Sequence, residues 1–119
     1  MRVQTTVTID DKRVTDMLTN ALEGGSTYWA RKITNERFEG AEFASEAPMA
    51  GGSFILIHDA ESDDMPGRTL INREVCEIGL QEMAEKYPRH FANLIAGDDD
   101  AETADVFLQC CVFGEIIFG

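Results

Sequence analysis

The chain lacks a long apolar run, a paired-cysteine motif and, over two extended stretches, any positive charge. No apolar stretch approaches the roughly 20 residues a bilayer span requires, and the opening "MRVQTTV" has no apolar core of a signal peptide. The expectation is a cytosolic protein with no membrane contact. Three cysteines, Cys76, Cys110 and Cys111, include an adjacent pair and show no CxxC or metal-finger spacing. They read as small buried hydrophobes rather than as a disulfide framework. Histidine is scarce, with only His58 and His90, and no serine sits in a nucleophile elbow. Cys110 and Cys111 lie in an apolar helical stretch, where thiols are inert. A pairing of His58 with an acidic neighbour has no distinguishing spacing, so the chain reads as a non-enzyme that needs no cofactor.

Basic residues are also few: 10 against 22 acidic ones, for a formal charge of -12 over 119 residues. That balance argues against direct nucleic-acid binding. The length suits a single domain, 1–119. The charge is unevenly placed. Glu39 to Gly67 holds seven acidic and no basic residues, and everything after Arg89 holds six acidic and none basic. Solubility is the plain explanation. The sharper one is a surface that meets a basic partner, with Glu39, Glu42, Glu46, Asp59, Glu61, Asp63 and Asp64 as one patch and Asp98, Asp99 and Asp100 as a second. "HDAESDD" could gather oxygen ligands for a divalent cation, but it lacks the alternation, central glycine and terminal glutamate of a calcium loop. A solvated turn is the simpler reading, and no metal is assigned.

The periodicities predict the elements. "VQTTVTI", residues 3 to 9, alternates Val3, Thr5, Val7 and Ile9 as a half-buried strand. Val14, Met17, Leu18, Ala21 and Leu22 then follow helical spacing, capped by Asp10 or Asp11 and stopped by Gly24-Gly25 acting as a left-handed exit. An extended segment over Tyr28 to Phe38 leads into a long loop, "EGAEFASEAPMAGG". "SFILIHD" is predicted as a strand buried on both faces, and "RTLIN" as its antiparallel return. Asn72 caps a helix with Val75, Ile78, Gly79 and Met83 or Ala84 inward. "PRHFANLIAG" is a short helix closed by Gly97, and "DDDAETADVFLQCCVFG" a central one stopped by Gly114. The predicted order is β-α-β-β-β-α-α-α. It implies an α+β fold, a small antiparallel sheet of about four strands with helices packed on one face.

"GGSTYWARKIT", residues 24 to 34, sets Tyr28 and Trp29 beside Arg31 and Lys32, with Arg37 close behind. Adjacent strand residues face opposite sides, so one aromatic ring is expected at the surface. That ring could cover a sheet edge, or stack on a nucleotide whose phosphates meet Arg31, Lys32 or Arg37. A small-ligand binder that sequesters a nucleotide signal is therefore an alternative function. A homo-oligomeric assembly protein joined through the apolar "IIFG" is a third.

Three stretches, "ALEGGSTYW", "GLQEMAEKYPRHFANLIAGDDDAETADVFLQCCVFGE" and "IIFG", resemble a group of small acidic proteins carried by bacteriophages and prophages. The resemblance covers the first helix with its exit and most of the C-terminal third. It implies a setting in the host bacterial cytosol and transfers no functional residue. By analogy with phage accessory proteins of this size and charge, it implies an anti-CRISPR-like inhibitor that binds a basic surface of the host defence machinery.

Overall fold

The computed structural model describes residues 1–38, 40–60, 66–98 and 100–119. Helix α1 (Asp11–Asn20) starts where Asp10, in extended backbone, accepts a hydrogen bond from the Arg13 N–H, satisfying a donor that a helix N-terminus leaves open. Val14, Met17 and Leu18 form its buried stripe. The helix widens into a π-type turn, Ala21–Gly25. The left-handed exit expected at Gly24-Gly25 is not formed: the glycines with positive φ are Gly51, Gly97, Gly114 and Gly119. Gly25 is small for another reason. A Cβ there would collide with the Ala101 carbonyl oxygen at the start of the last helix.

Strands β1 (Ala30–Thr34), β2 (Phe54–His58) and β3 (Gly67–Ile71) make an antiparallel sheet in the order β1-β2-β3. The loop between β1 and β2 is partly ordered by two short 3₁₀ turns, Ala44–Glu46 and Pro48–Ala50. In β2, Phe54, Leu56 and His58 are buried, whereas Ile55 and Ile57 on the other face are only half-buried. The strand expected to be buried on both faces is therefore buried on one. The strand expected at residues 3–9 does not form either; residues 1–10 carry no regular structure and residues 1–8 are exposed. Alternation prepares a segment for a sheet, but a strand exists only when a neighbour takes its backbone hydrogen bonds. The fold is α+β, with a three-stranded antiparallel sheet and four helices in the order α-β-β-β-α-α-α.

Asn72 caps α2 (Arg73–Lys86) by accepting from the Val75 N–H. Pro88 opens α3 (Pro88–Ala96) in its first turn, where a missing N–H costs nothing. Gly97 and Gly114 then end α3 and α4 (Ala101–Phe113) in left-handed backbone. In α2 the inward residues are Cys76, Gly79 and Met83. Ile78, expected among them, is 52% exposed because it lies one step round the helix from Gly79. Every residue from Thr103 to Cys110 is buried, so α4 runs through the centre of the molecule. It shares one apolar cluster with Met17, Leu18, Trp29, Phe54, Leu56, Met83 and Leu94. All three cysteines are free thiols. Burial raises Cys110 to about 12 and holds Cys111 well above its ordinary value, which keeps both thiols protonated. Among the described residues no helix is long and apolar enough to cross a membrane.

Candidate functional site

Of the acids in the two segments that the described residues include, Asp59 meets a basic side chain once the chain folds. Glu39, Glu61, Asp63, Asp64 and Asp99 lie outside the described residues. Glu42 is exposed on the β1–β2 loop. Glu46 Oε1 accepts from the Phe43 N–H at 2.9 Å and closes a 3₁₀ turn. Asp59 follows β2 directly beside β1, where Arg31 grips it through two hydrogen bonds of 2.8 and 2.5 Å. That contact holds the Asp59 carboxyl below its ordinary value and raises Arg31. Asp98 is exposed. Asp100 caps α4, accepting from the Thr103 N–H at 3.0 Å, and this hydrogen bond leads in lowering its pKa.

Substituting Asp100→Ala is expected to cost ~1 kcal/mol, the usual loss of an N-cap, read in a urea melt. The pH dependence has a definite sign. Asp11, Asp59 and Asp100 all titrate lower in the fold than free carboxylates do. Their stabilisation is complete above the unfolded value of about 3.9 and is lost as pH falls through the folded values. A melting temperature unchanged from pH 5 down to pH 2.5 would contradict this.

A further acidic stripe lies on the outside of α2. Glu74, Glu77, Ile78, Gln81 and Glu85 are all exposed and recur at the spacing of one helical face. Four other acids are in ion pairs: Asp11 with Arg73, Asp16 with Lys12, Asp59 with Arg31, and Glu82 with Lys86. Among the described residues Glu74, Glu77 and Glu85 make no ion pair. Counting charge along the chain hid this stripe, because Arg73 and Lys86 bracket it in sequence. The 3.6-residue period of α2 was the signal that could have found it.

The aromatic and basic residues of the alternative reading do not converge on a ligand site. Trp29 is fully buried, so it cannot serve as the stacking platform expected for a nucleotide. Its ring packs against Phe118 at 6.0 Å and 20° and against Phe113 at 5.4 Å. Tyr28 is the surface ring, 47% exposed. Its hydroxyl donates inward to Asp105 Oδ2 at 2.6 Å, and burial together with that carboxylate pushes its pKa up to about 12. Arg31 is committed to Asp59. Lys32 faces the outer side of the sheet opposite Ile57, and Arg37 is exposed in the loop after β1.

What Trp29 and Tyr28 do share is Asp105, a buried carboxylate in apolar α4 that sequence reasoning missed. Asp105 accepts from Ser26 Oγ at 2.7 Å, Trp29 Nε1 at 2.7 Å, Tyr28 OH at 2.6 Å and Gln109 Nε2 at 3.1 Å. Gln109 extends the network to the chain end: its Oε1 accepts from the Ile117 and Phe118 N–H groups, and its Nε2 donates to the Phe118 carbonyl. "IIFG" is therefore tied to the core, with Ile116 and Phe118 packed on the apolar cluster. This corrects the expectation of a free apolar contact there. The network is structural in its chemistry. Ser26 donates directly to the carboxylate, while both His58 ring nitrogens are occupied, by the Asp59 carbonyl at 2.7 Å and Thr69 Oγ1 at 2.8 Å. Among the described residues no group of three or more histidine, cysteine, aspartate or glutamate side chains is placed to hold a metal ion.

Compared with known proteins, the chain matches no protein-family model, no curated protein and no solved structure.

Proposed function

We propose that this chain is a non-enzymatic, phage-type binding protein that inhibits a host defence or nucleic-acid-handling complex, anti-CRISPR-like, by laying an acidic face over a basic surface. The observation that carries the reading is the unpaired stripe Glu74, Glu77 and Glu85 on a rigid helix, in a chain of net charge -12. Glu42, Asp98, Asp100 and Glu102 add exposed carboxylates elsewhere. Carboxylates one or two helical turns apart can occupy lysine and arginine sites suited to phosphates. The resulting attraction speeds encounter and weakens as salt screens it. The resemblance to phage-borne proteins supplies the setting, the host bacterial cytosol.

The test is affinity capture from a defence-expressing bacterial host. A basic nucleic-acid-binding protein should be retained at low salt and released as salt rises. The triple reversal E74K/E77K/E85K, with an unchanged far-ultraviolet spectrum, should weaken its binding at least about tenfold. Capture of no such protein at low salt, or wild-type affinity in the triple variant, would reject the reading.

A further inference from the structure

Two features of the chain lie outside the set of unpaired acids. The first is the N-terminal arm, residues 2–8. It has strand alternation, yet Val3 is 78% and Val7 43% exposed, and residues 1–9 form no hydrogen bond with any other described residue. Ile9 roots the arm by packing on the core cluster, and Val7 lies with it beside Glu77, Leu80, Gln81, Ala84 and Phe91. The second feature is the free edge of β3. This outer strand pairs with β2 in unbroken register from Gly67 to Ile71, and its other side has no backbone partner among the described residues. Leu70 is 46% exposed and shares the outer sheet face with Ile55 and Ile57. The opposite edge is blunted: β1 has a register break between Ala30 and Lys32 and is followed by Asn35 in left-handed backbone.

We infer that residues 3–8 of one chain add as a fourth, antiparallel strand to β3 of a second copy, which returns its own arm in the same way. Arm and edge carry complementary unsatisfied amides and carbonyls, the requirement for strand addition. The arm is too short to pair along the whole of its own β3, whose five residues need about 17 Å of extended chain. Leu80 and Ala84 stand about 12–18 Å along α2 from the end of β3, which consumes most of the roughly 23 Å that seven extended residues span.

Charge selects both the partner and the orientation. The arm carries Arg2 and no acid, in a chain of net charge -12, so the net charge of another copy attracts it. Antiparallel addition sets Arg2 at the Ile71 end, near Glu74 and the Asp11 that pairs with Arg73. Parallel addition would set it against Arg68. Alternation then places Val3, Thr5 and Val7 on the Leu70 side, extending the half-covered row of Ile55 and Ile57.

Sedimentation of the full chain should show a dimer. Deleting residues 2–8, which leaves the Ile9 anchor, should raise the dimer dissociation constant at least about tenfold with no change in the far-ultraviolet spectrum. L70K, at an exposed position, should do the same. Chains carrying Thr5→Cys mixed with chains carrying Leu70→Cys should form a disulfide-linked heterodimer under mild air oxidation. A strict monomer at high concentration, a dimer indifferent to both changes, or a crosslink formed within one chain by the T5C/L70C double variant would overturn the inference.

Discussion

Asp105→Ala is expected to destabilise the fold by ~3–5 kcal/mol, a fall of roughly 12–20 °C in melting temperature at about 4 °C per kcal/mol. The carboxylate takes four hydrogen bonds, three from the turn 26–29 and one from α4 itself. Removing it strands the Trp29 N–H and the Ser26 hydroxyl, both fully buried, and each such donor costs about 1–3 kcal/mol. Tyr28 suffers less, since the residue is half exposed and its hydroxyl also meets Gln109. The loss should extend to the chain end. Gln109 is positioned by Asp105 and in turn holds the backbone of Ile117 and Phe118, whose ring stacks on Trp29. Thermal melts should therefore be accompanied by a red-shifted tryptophan emission and by proteolysis near residue 115 under native conditions. A variant that melted within 3 °C of the parent would show that the carboxylate is dispensable.

The second large effect comes from a pair of adjacent glycines with opposite outcomes. Gly25→Ala is expected to cost ~1–3 kcal/mol or more, because its Cβ would enter the Ala101 carbonyl oxygen, and backbone at a helix start cannot rotate aside as a side chain can. Gly24→Ala is expected to be neutral or to stabilise by ~0.4–1 kcal/mol. Nothing lies within 4 Å of its Cβ and its φ is not positive, so alanine only narrows the unfolded ensemble. Urea melts of the two single variants decide the point. Equal effects would mean that the glycine pair serves backbone conformation and not the approach of α4 to the turn after α1.

Much of the chain's layout was legible because it depends on neighbours in sequence. Asp10, Asn72 and Asp100 cap helices through a hydrogen bond three residues on, Pro88 opens a helix, and Gly97 and Gly114 close two. The stripe Val14, Met17 and Leu18 and the hairpin of β2 with β3 follow from period and spacing. Where the readings failed, a distant partner decided. The arm has the pattern of a strand and no neighbour to bond. Glu74, Glu77 and Glu85 were invisible to a count along the chain, because a helix sets residues three and four apart side by side.

Charge shows the division most sharply. Sequence alone determined that this protein is acidic, that long stretches of it hold no lysine or arginine, and that it builds an α+β fold from one small sheet and helices. Only the tertiary structure decided which acids remain free. Arg31 reaches Asp59 across 28 positions and Arg73 reaches Asp11 across 62, and Asp105 is drawn inside to collect neutral donors. The physical reason is that helix caps, turns and periodicity arise from contacts between residues a few positions apart, which a linear reading contains. The pairing or burial of a charge depends instead on which remote segment the packed core brings against it.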